Sequence, residues 1–467
     1  MAKPPSTDNQ TSVVRKDLLL KIAFAFIALV LLSPVLSLGL NPDTMTSTGG
    51  EGSTLRQVCY IVVAALLLYA LKPTENYRRL LAIPLPLLIG VLYCWLSVTW
   101  AIEPSVALRR IALMTLIIWM VFAMMRQLKF EEVLFILRWA LSLVLLASYA
   151  AVIFMPTFGM HSGNMMDNLA LAGDWRGILE QKNLAGAACA VMIIVFAFER
   201  GRMPKWIQFT AIAAASYFLY RSNSKTSVAL CLSGLIAGFI FLRYKLKYKG
   251  AVIGVLAVAA VVVSVLNAIY QNPLAGKLAD PKAFTGRTKI WNTLFAYIHD
   301  HPILGSGYGS FWNIGPNSPV YKYGTLEVTL MPYGHNGFLD MAAQLGLPGL
   351  IVIVVVTIFM PFGKLISSPL LIGQKGALLV GLFLFCIGYN FTETALFYPD
   401  SFVFIILLIT IGLSQPSLIN YKREKFSVHN LLRITPTRSA DAAGEATVRT
   451  RTSIPTASPS VRRRRKQ

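Results

Sequence analysis

The chain reads as an all-α polytopic membrane protein with about twelve transmembrane helices, both termini cytoplasmic, and one long outward-facing loop between helices 9 and 10. Three observations lead there. The 467 residues are 55% hydrophobic and only 14% charged, whereas soluble domains carry about 25% charged residues. Apolar runs close to the ~20 residues needed to cross a bilayer recur along the chain. Lysines and arginines fall in alternate loops between those runs, the pattern that sets membrane orientation.

The net charge of +22 raises nucleic acid as a partner, but its distribution argues against one. The cations sit in short loops and in the last fifty or so residues, which is a topology signal. The five cysteines (Cys59, Cys94, Cys189, Cys231, Cys386) all lie inside apolar runs with no CxxC pair. That excludes a disulfide framework or zinc site as an expectation and leaves them as small apolar residues.

Taken in order, residues 1–17 form a polar cytoplasmic segment ending Arg15-Lys16-Asp17. The first run, 18–40, is too long for a cleaved signal core and reads as a retained helix. Further runs lie at 55–71, 80–100, 108–125, 132–155, 184–199, 206–221, 226–243, 251–269, 337–362, 376–396 and 400–414. Cytoplasmic loops carry Lys72, Arg78 and Arg79; Arg126 and Lys129; Arg200, Arg202 and Lys205; Arg243 to Lys249; and Lys364 with Lys375. The other loops, 41–54, 101–106, 156–183, 222–225, 270–336 and 392–399, face outward. Residues 18–414 thus form one membrane domain. Residues 415–467, rich in Ser, Thr, Pro and Arg, read as a basic disordered tail, a topology anchor or a contact for anionic lipid or a cytosolic partner.

Cations stand on the side where the orientation rule makes them scarce. Arg109 and Arg110, Arg176 and Lys182, Arg221 and Lys225, and Arg287 and Lys289 mark four outward segments, next to helix ends. An anionic ligand at the outer interface explains them, because guanidinium matches phosphate bidentately and lysine supplies a point charge. Pairing with headgroups or with Glu103, Asp174 or Glu180 is the alternative. Ser222-Asn223-Ser224-Lys225-Thr226-Ser227 places hydroxyls around one lysine at a tight turn, and Gln181-Lys182-Asn183 is polar just before a membrane run. Arg287 opens a helical pattern with Trp291, Leu294, Phe295 and Ile298 on one face, an amphipathic helix expected to lie along the bilayer surface.

The loop 270–336 holds much of the remaining chemistry: Gly286-Arg287-Thr288, His299-Asp300-His301-Pro302, the run Leu304-Gly305-Ser306-Gly307-Tyr308-Gly309, and a close on Tyr333-Gly334-His335-Asn336-Gly337-Phe338-Leu339-Asp340. His299 and His301 flank Asp300 before a proline and read as a turn, with metal binding as the alternative. By residue type alone His335 is either a capping and packing residue at a helix start or a general base for a sugar hydroxyl. Both readings stand on the sequence.

The block Gly334-His335-Asn336-Gly337-Phe338-Leu339, with Gly346-Leu347-Pro348-Gly349 after it, resembles the hallmark of the O-antigen ligase and Wzy-type polymerase superfamily. The Gly286-Arg287-Thr288…Trp291 segment, the glycine run, the Ser224-Lys225-Thr226 turn and Gln181-Lys182-Asn183 are similar to the same family, over residues 60–412. The His-Asn-Gly-Phe-Leu-Asp wording looks closest to the exopolysaccharide-polymerase branch, the ExoQ-like proteins. The resemblance implies a bacterial inner-membrane glycosyltransferase with its site facing the periplasm. Its partners would be an undecaprenyl-diphosphate-linked glycan as donor and another as acceptor, the lipid bilayer and a chain-length regulator, with no metal or other cofactor. It implies an essential histidine at His335 and an essential arginine at Arg287. Lys225 stands where many members have arginine, and Gln344 where many have glutamate. Arg287 and His335 are the expected catalytic pair, and Lys225, Arg176, Lys182, Arg109 and Arg110 the diphosphate contacts. Asn336, Asp340 and Trp291 are expected in support. The alternatives are a ligase that moves a finished glycan to lipid A core or protein, and a transporter or flippase.

Overall fold

The computed structural model describes residues 18–30, 54–74, 77–162, 171–198, 203–255, 287–399 and 401–415. The secondary structure of these residues is mainly helical, and the one β-bridge among them joins Met160 to Trp175. The longer helices are α1 (Leu18–Val30), α2 (Thr54–Leu71), α3 (Leu85–Leu96), α4 (Pro104–Met125), α5 (Phe130–Phe154), α6 (Lys182–Ala197), α7 (Lys205–Arg221), α8 (Lys225–Phe241), α9 (Arg287–Asp300), α10 (Gly337–Ser367), α11 (Gln374–Tyr389) and α12 (Phe402–Leu413).

Every apolar run expected to cross the bilayer carries a helix in its described residues, while 31–40 of the first run and 256–269 of the ninth lie outside them. Length divides them. Helices α4, α5 and α10 are long and apolar enough to span a membrane on their own. A fourth span arises if α8 is joined to the stretch Leu246–Val255, across a bend of 115°. The apolar helices whose ends both lie among the described residues, α3, α6, α11 and α12, have 12–16 residues. At 1.5 Å per residue they fall short of a hydrocarbon core of about 30 Å. The chain is an all-α membrane protein. The segments 1–17, 270–286 and 416–467 lie outside the described residues.

The packing follows side-chain size. Helix α12 is apolar on all sides and every one of its residues is buried, as expected of a helix enclosed by others. Helix α8 buries only Ser227, Cys231, Gly234, Gly238 and Phe241, a stripe of mostly small residues three or four apart. That stripe lies antiparallel against α11. A Cβ on Gly234 would stand 2.8 Å from the Gly381 carbonyl oxygen, and one on Gly381 would stand 2.9 Å from that of Gly234. Without side chains between them the two backbones touch, the usual way membrane helices gain contact. On its other side α8 runs parallel to α6, with Ser227 near Asn183 and Cys231 near Ala190. The start of α6, the start of α8 and the end of α11 therefore meet at one end of the bundle.

The described part of the long loop, 287–336, is a folded cap. Ile290, Trp291, Leu294 and Tyr297 of α9 pack with Phe311, Trp312, Val320 and Val328 of the same loop and with Ala343 of α10. The expectation that α9 lies along the bilayer surface is corrected here. Its apolar face, with Leu294 fully buried, is covered by the rest of the cap, which leaves only Phe295 substantially exposed.

The glycine run 304–309 fastens this cap to the bundle. Gly305, Gly307 and Gly309 have φ of 66°, 84° and 69°, a region that side chains disfavour. Each also lies where a Cβ would collide, with Ala343, Ala101 and Arg110 respectively. Tyr308 donates from its amide to Ser97 Oγ at 2.9 Å and from its hydroxyl to the Phe397 carbonyl at 2.7 Å. Opposite the run, α10 breaks at Gly346, whose φ is 69°. The Gly346–Gly349 motif thus makes a kink into which the chain at Pro302–Leu304 fits, with the Leu347 amide donating to the Pro302 carbonyl at 2.8 Å.

Candidate active site

Glu393 is the hub of the site. It lies between α11 and α12, outside either helix, in a segment folded back by Asn390, whose side-chain oxygen accepts from the amides of Ala395 and Leu396 at 3.0 and 2.6 Å. Its side chain is 5% exposed. One carboxylate oxygen accepts from the Arg287 guanidinium and from Asn183 Nδ2 at 2.8 Å. The other meets His335 Nδ1 at 2.8 Å. Burial pushes the Glu393 carboxyl up, but the hydrogen bond and charge from His335 and the charge of Arg287 outweigh it and hold the group below the usual carboxylate range. Glu393 is therefore ionised and accepts from His335 Nδ1, so that when the imidazole is neutral, the form in which it can act as a base, the proton it keeps is the one on Nδ1. The tautomer this selects leaves Nε2 with its lone pair. Among the described residues Nε2 has no protein partner.

The turn that carries His335 is held from several directions. His335 has φ of +51°, a strained backbone that persists where its surroundings determine it. Gly334 donates its amide to Asp340 Oδ2 at 2.9 Å, and its carbonyl accepts from Trp291 Nε1 at 3.1 Å. Asp340, fully buried, also accepts from Trp312 Nε1 at 2.7 Å and from the Thr394 hydroxyl. Asn336 caps α10, its side-chain oxygen accepting from the amides of Phe338 and Leu339 at 3.1 Å each. Asn336, Asp340 and Trp291 thus all act on the position of His335. Histidine is not the cap itself, because the capping oxygen belongs to Asn336.

A second layer joins α6 and α8 to this hub. Ser224 donates to Asn183 Oδ1 at 3.2 Å and is 2.9 Å from Ser227 Oγ. Gly186 makes room for this turn, since a Cβ there would lie 2.6 Å from the Ser224 Cβ. Gln181 Nε2 donates to the Tyr333 hydroxyl at 2.9 Å, and the Tyr333 ring lies 4.6 Å from that of His335. Four helices start here: α6 at Gln181–Asn183, α8 at Ser224–Lys225, α9 at Arg287 and α10 at Asn336–Gly337. Each N-terminus contributes about half a positive charge. A concentration of helix N-termini attracts anions even where formal charges are partly paired.

The expected cations separate into distinct groups. Arg287 sits on Glu393 and spends one of its five N–H donors there. Lys225 is exposed at the first position of α8, beside Ser224, without a partner among the described residues. Lys182, at the start of α6, is paired with Asp174 at 2.6 Å, and Lys289 is paired with Glu327 at 2.6 Å. For these two the pairing with a nearby acid is what the fold makes. Arg176 donates from Nε to the Phe158 carbonyl at 3.0 Å, and Arg221 lies over the Trp175 ring at 4.9 Å. Arg109 is exposed on α4. Arg110 is turned into the cap, where it donates to the carbonyls of Gly309, Trp312 and Asn313 at 2.5, 2.8 and 3.1 Å, a fastening role. Gln344 accepts from the Gly309 amide at 2.6 Å, so this position also holds the glycine run. His299 is exposed beside Asp300, and His301 stacks on Tyr297, as the turn reading expects.

Glu393, Asn183 and Tyr333 escaped the sequence reading as site residues. A signal existed for Glu393, the only acid between Asp340 and Asp400. Comparison with curated proteins finds no match for the chain. Residues 209–354 match the family model described as O-antigen ligase (Wzy_C). The match takes in Lys225, Arg287 and His335, while Asn183 and Glu393 lie beyond its two ends. This match supports the O-antigen ligase and Wzy-type superfamily for this membrane protein.

Proposed function

We propose that the protein polymerises undecaprenyl-diphosphate-linked oligosaccharide repeat units into exopolysaccharide at the periplasmic face of a bacterial inner membrane. The observation that carries this reading is the His335–Glu393–Arg287 cluster at the meeting point of four helix N-termini. A base with a fixed tautomer and a positive field stand side by side, and glycosyl transfer from a diphosphate needs both.

In the proposed step His335 Nε2 takes the proton from a hydroxyl of the acceptor sugar. The hydroxyl oxygen forms a bond to the anomeric carbon of the donor while the bond from that carbon to the diphosphate oxygen breaks. One displacement inverts the anomeric centre without a covalent enzyme intermediate or a metal. The imidazolium is stabilised by the ionised Glu393, and the departing diphosphate by Arg287, Lys225 and the helix N-termini. Apolar helix surfaces accommodate the polyprenyl chains, and the cap 287–336 lies over the glycans. A chain-length regulator is the expected protein partner.

The wording His335-Asn336-Gly337-Phe338-Leu339-Asp340 supports the ExoQ-like branch and hence polymerisation. The family model's own description favours a second reading, a ligase that transfers a finished glycan to lipid A core or protein. In a strain lacking the protein, single lipid-linked repeat units are the expected outcome; accumulated lipid-linked polymer would identify a ligase. His335→Ala, at matched protein level in the membrane, is expected to make no polymer. Normal polymer from that variant would overturn the general-base role.

A further inference from the structure

Tyr333 is held beside the base but its hydroxyl proton is not used by the fold. Gln181 Nε2 donates to the Tyr333 oxygen at 2.9 Å. The phenol is thus the acceptor in that bond, and its own proton has no acceptor among the described residues. Burial, and then the negative charge of Glu393, push the Tyr333 hydroxyl well above its ordinary value, so it remains a donor across the physiological range. The ring is packed between His335 at 4.6 Å and Tyr398 at 5.7 Å. The His335 ring, with a lone pair on Nε2, and the Tyr333 ring, with an O–H that the fold does not use, are therefore neighbours, 4.6 Å apart between ring centres. An oxygen that gives a proton to one group and accepts from the other makes use of both.

We infer that Tyr333 and His335 together form the binding subsite for the attacking hydroxyl of the acceptor glycan, with Tyr333 donating a hydrogen bond to that oxygen while His335 Nε2 accepts its proton. The same helix start serves both sides of the subsite. Gln181 orients Tyr333, and Asn183, two residues later, holds the Glu393 that orients His335. Tyr333 touches the acceptor and changes no bond. Its effect therefore falls on acceptor binding, and the chemistry and the diphosphate are left to His335, Arg287 and Lys225. The inference rests on the glycosyl-transfer reading of the site.

The test uses the full-length protein in lipid nanodiscs. Lipid-linked repeat units from a strain lacking the protein serve as donor, and the glycan freed from them by mild acid serves as soluble acceptor. Tyr333→Phe keeps the ring beside His335 and removes only the hydroxyl. It is expected to raise the acceptor KM about tenfold, the loss of one buried hydrogen bond, with kcat and the donor KM within about twofold of the unmodified protein. Gln181→Glu is the second variant. Its carboxylate accepts the Tyr333 proton and diverts it from the acceptor, so the acceptor KM is expected to rise again with the phenol still present. A rise in donor KM alone, or an acceptor KM unchanged in Tyr333→Phe with an unaltered melting temperature, overturns the inference. His335→Ala separates the two readings: activity in that variant defeats the glycosyl-transfer mechanism, whereas an inactive His335→Ala beside a normal Tyr333→Phe defeats only the role of Tyr333.

Discussion

His335 Nδ1 and Glu393 Oε2 lie 2.8 Å apart although 58 positions separate them in the chain. The contact turns a histidine of two possible tautomers into one with a free Nε2. It also ties the end of the cap to the segment between α11 and α12, so the cap and the bundle are parts of one site.

Glu393→Gln tests that contact most directly. Glutamine keeps the shape but brings no charge, so the imidazole loses its fixed tautomer and Arg287 its counter-ion. Polymerisation is expected to fall by about 10²–10⁴-fold, as when an orienting carboxylate is neutralised in other His-dependent enzymes. Breaking a buried ion pair costs roughly 3–5 kcal/mol, so the melting temperature should fall too. Activity within a few-fold of the unmodified protein would show that His335 does not need this partner.

Acid should loosen the same site. The Glu393 carboxyl is held below its usual range by His335 and Arg287 against the opposing effect of burial. A depressed carboxylate contributes stability that is fully present above its unfolded value, about 4.3. That contribution is lost as pH falls through the lower folded value. Melting of the nanodisc-embedded protein should therefore decline more steeply below about pH 4.5 in the unmodified chain than in Glu393→Gln. Parallel declines would argue that other carboxylates dominate.

Arg287→Lys keeps a positive charge but loses the planar fork that can hold Glu393 and a phosphate together. A drop in kcat of about 10²-fold or more is expected, by comparison with removal of a single preorganised donor at other sites, with membrane insertion unaltered. Full activity would reduce Arg287 to a simple counter-charge.

Lys225 carries the opposite expectation. It is exposed and without a partner among the described residues, so Lys225→Met should leave the melting temperature within about 1 °C while raising the donor KM. Lys225→Arg should restore it, because charge at the start of α8 is what an anion meets. An unchanged donor KM in Lys225→Met would remove this lysine from the diphosphate contacts.

Gly346→Ala should be among the more damaging single-methyl changes. The backbone there has φ of 69°, and an added Cβ would stand 2.0 Å from the Ile303 carbonyl oxygen. Strain and displacement together should cost about 3 kcal/mol, read as a lower melting temperature and protease cleavage of the cap. A stable variant would show that the kink in α10 is not required to seat Pro302–Leu304.

The sequence by itself determined the apolar helices and marked polar residues of the candidate site. Apolar runs must form helices in a bilayer because no water is there to satisfy the backbone, and twelve such runs are legible from residue type. Arg287, Lys225 and His335 were legible as polar groups in places where burial or orientation makes them costly. What the chain order cannot show is which partners neutralise those groups. The bonds at the site join positions 58, 106, 152 and 210 apart, and no periodicity spans such distances. The tertiary structure decided that Lys182 is paired with Asp174 and that Arg110 is a fastener of the glycine run. It also decided that α9 buries its apolar face in the cap and that Glu393 is the centre of the candidate site. The physical reason is close packing. Gly234 against Gly381 and Gly186 against Ser224 allow the helix ends to converge, and only that convergence brings one carboxylate within reach of an arginine, a histidine and an asparagine at once.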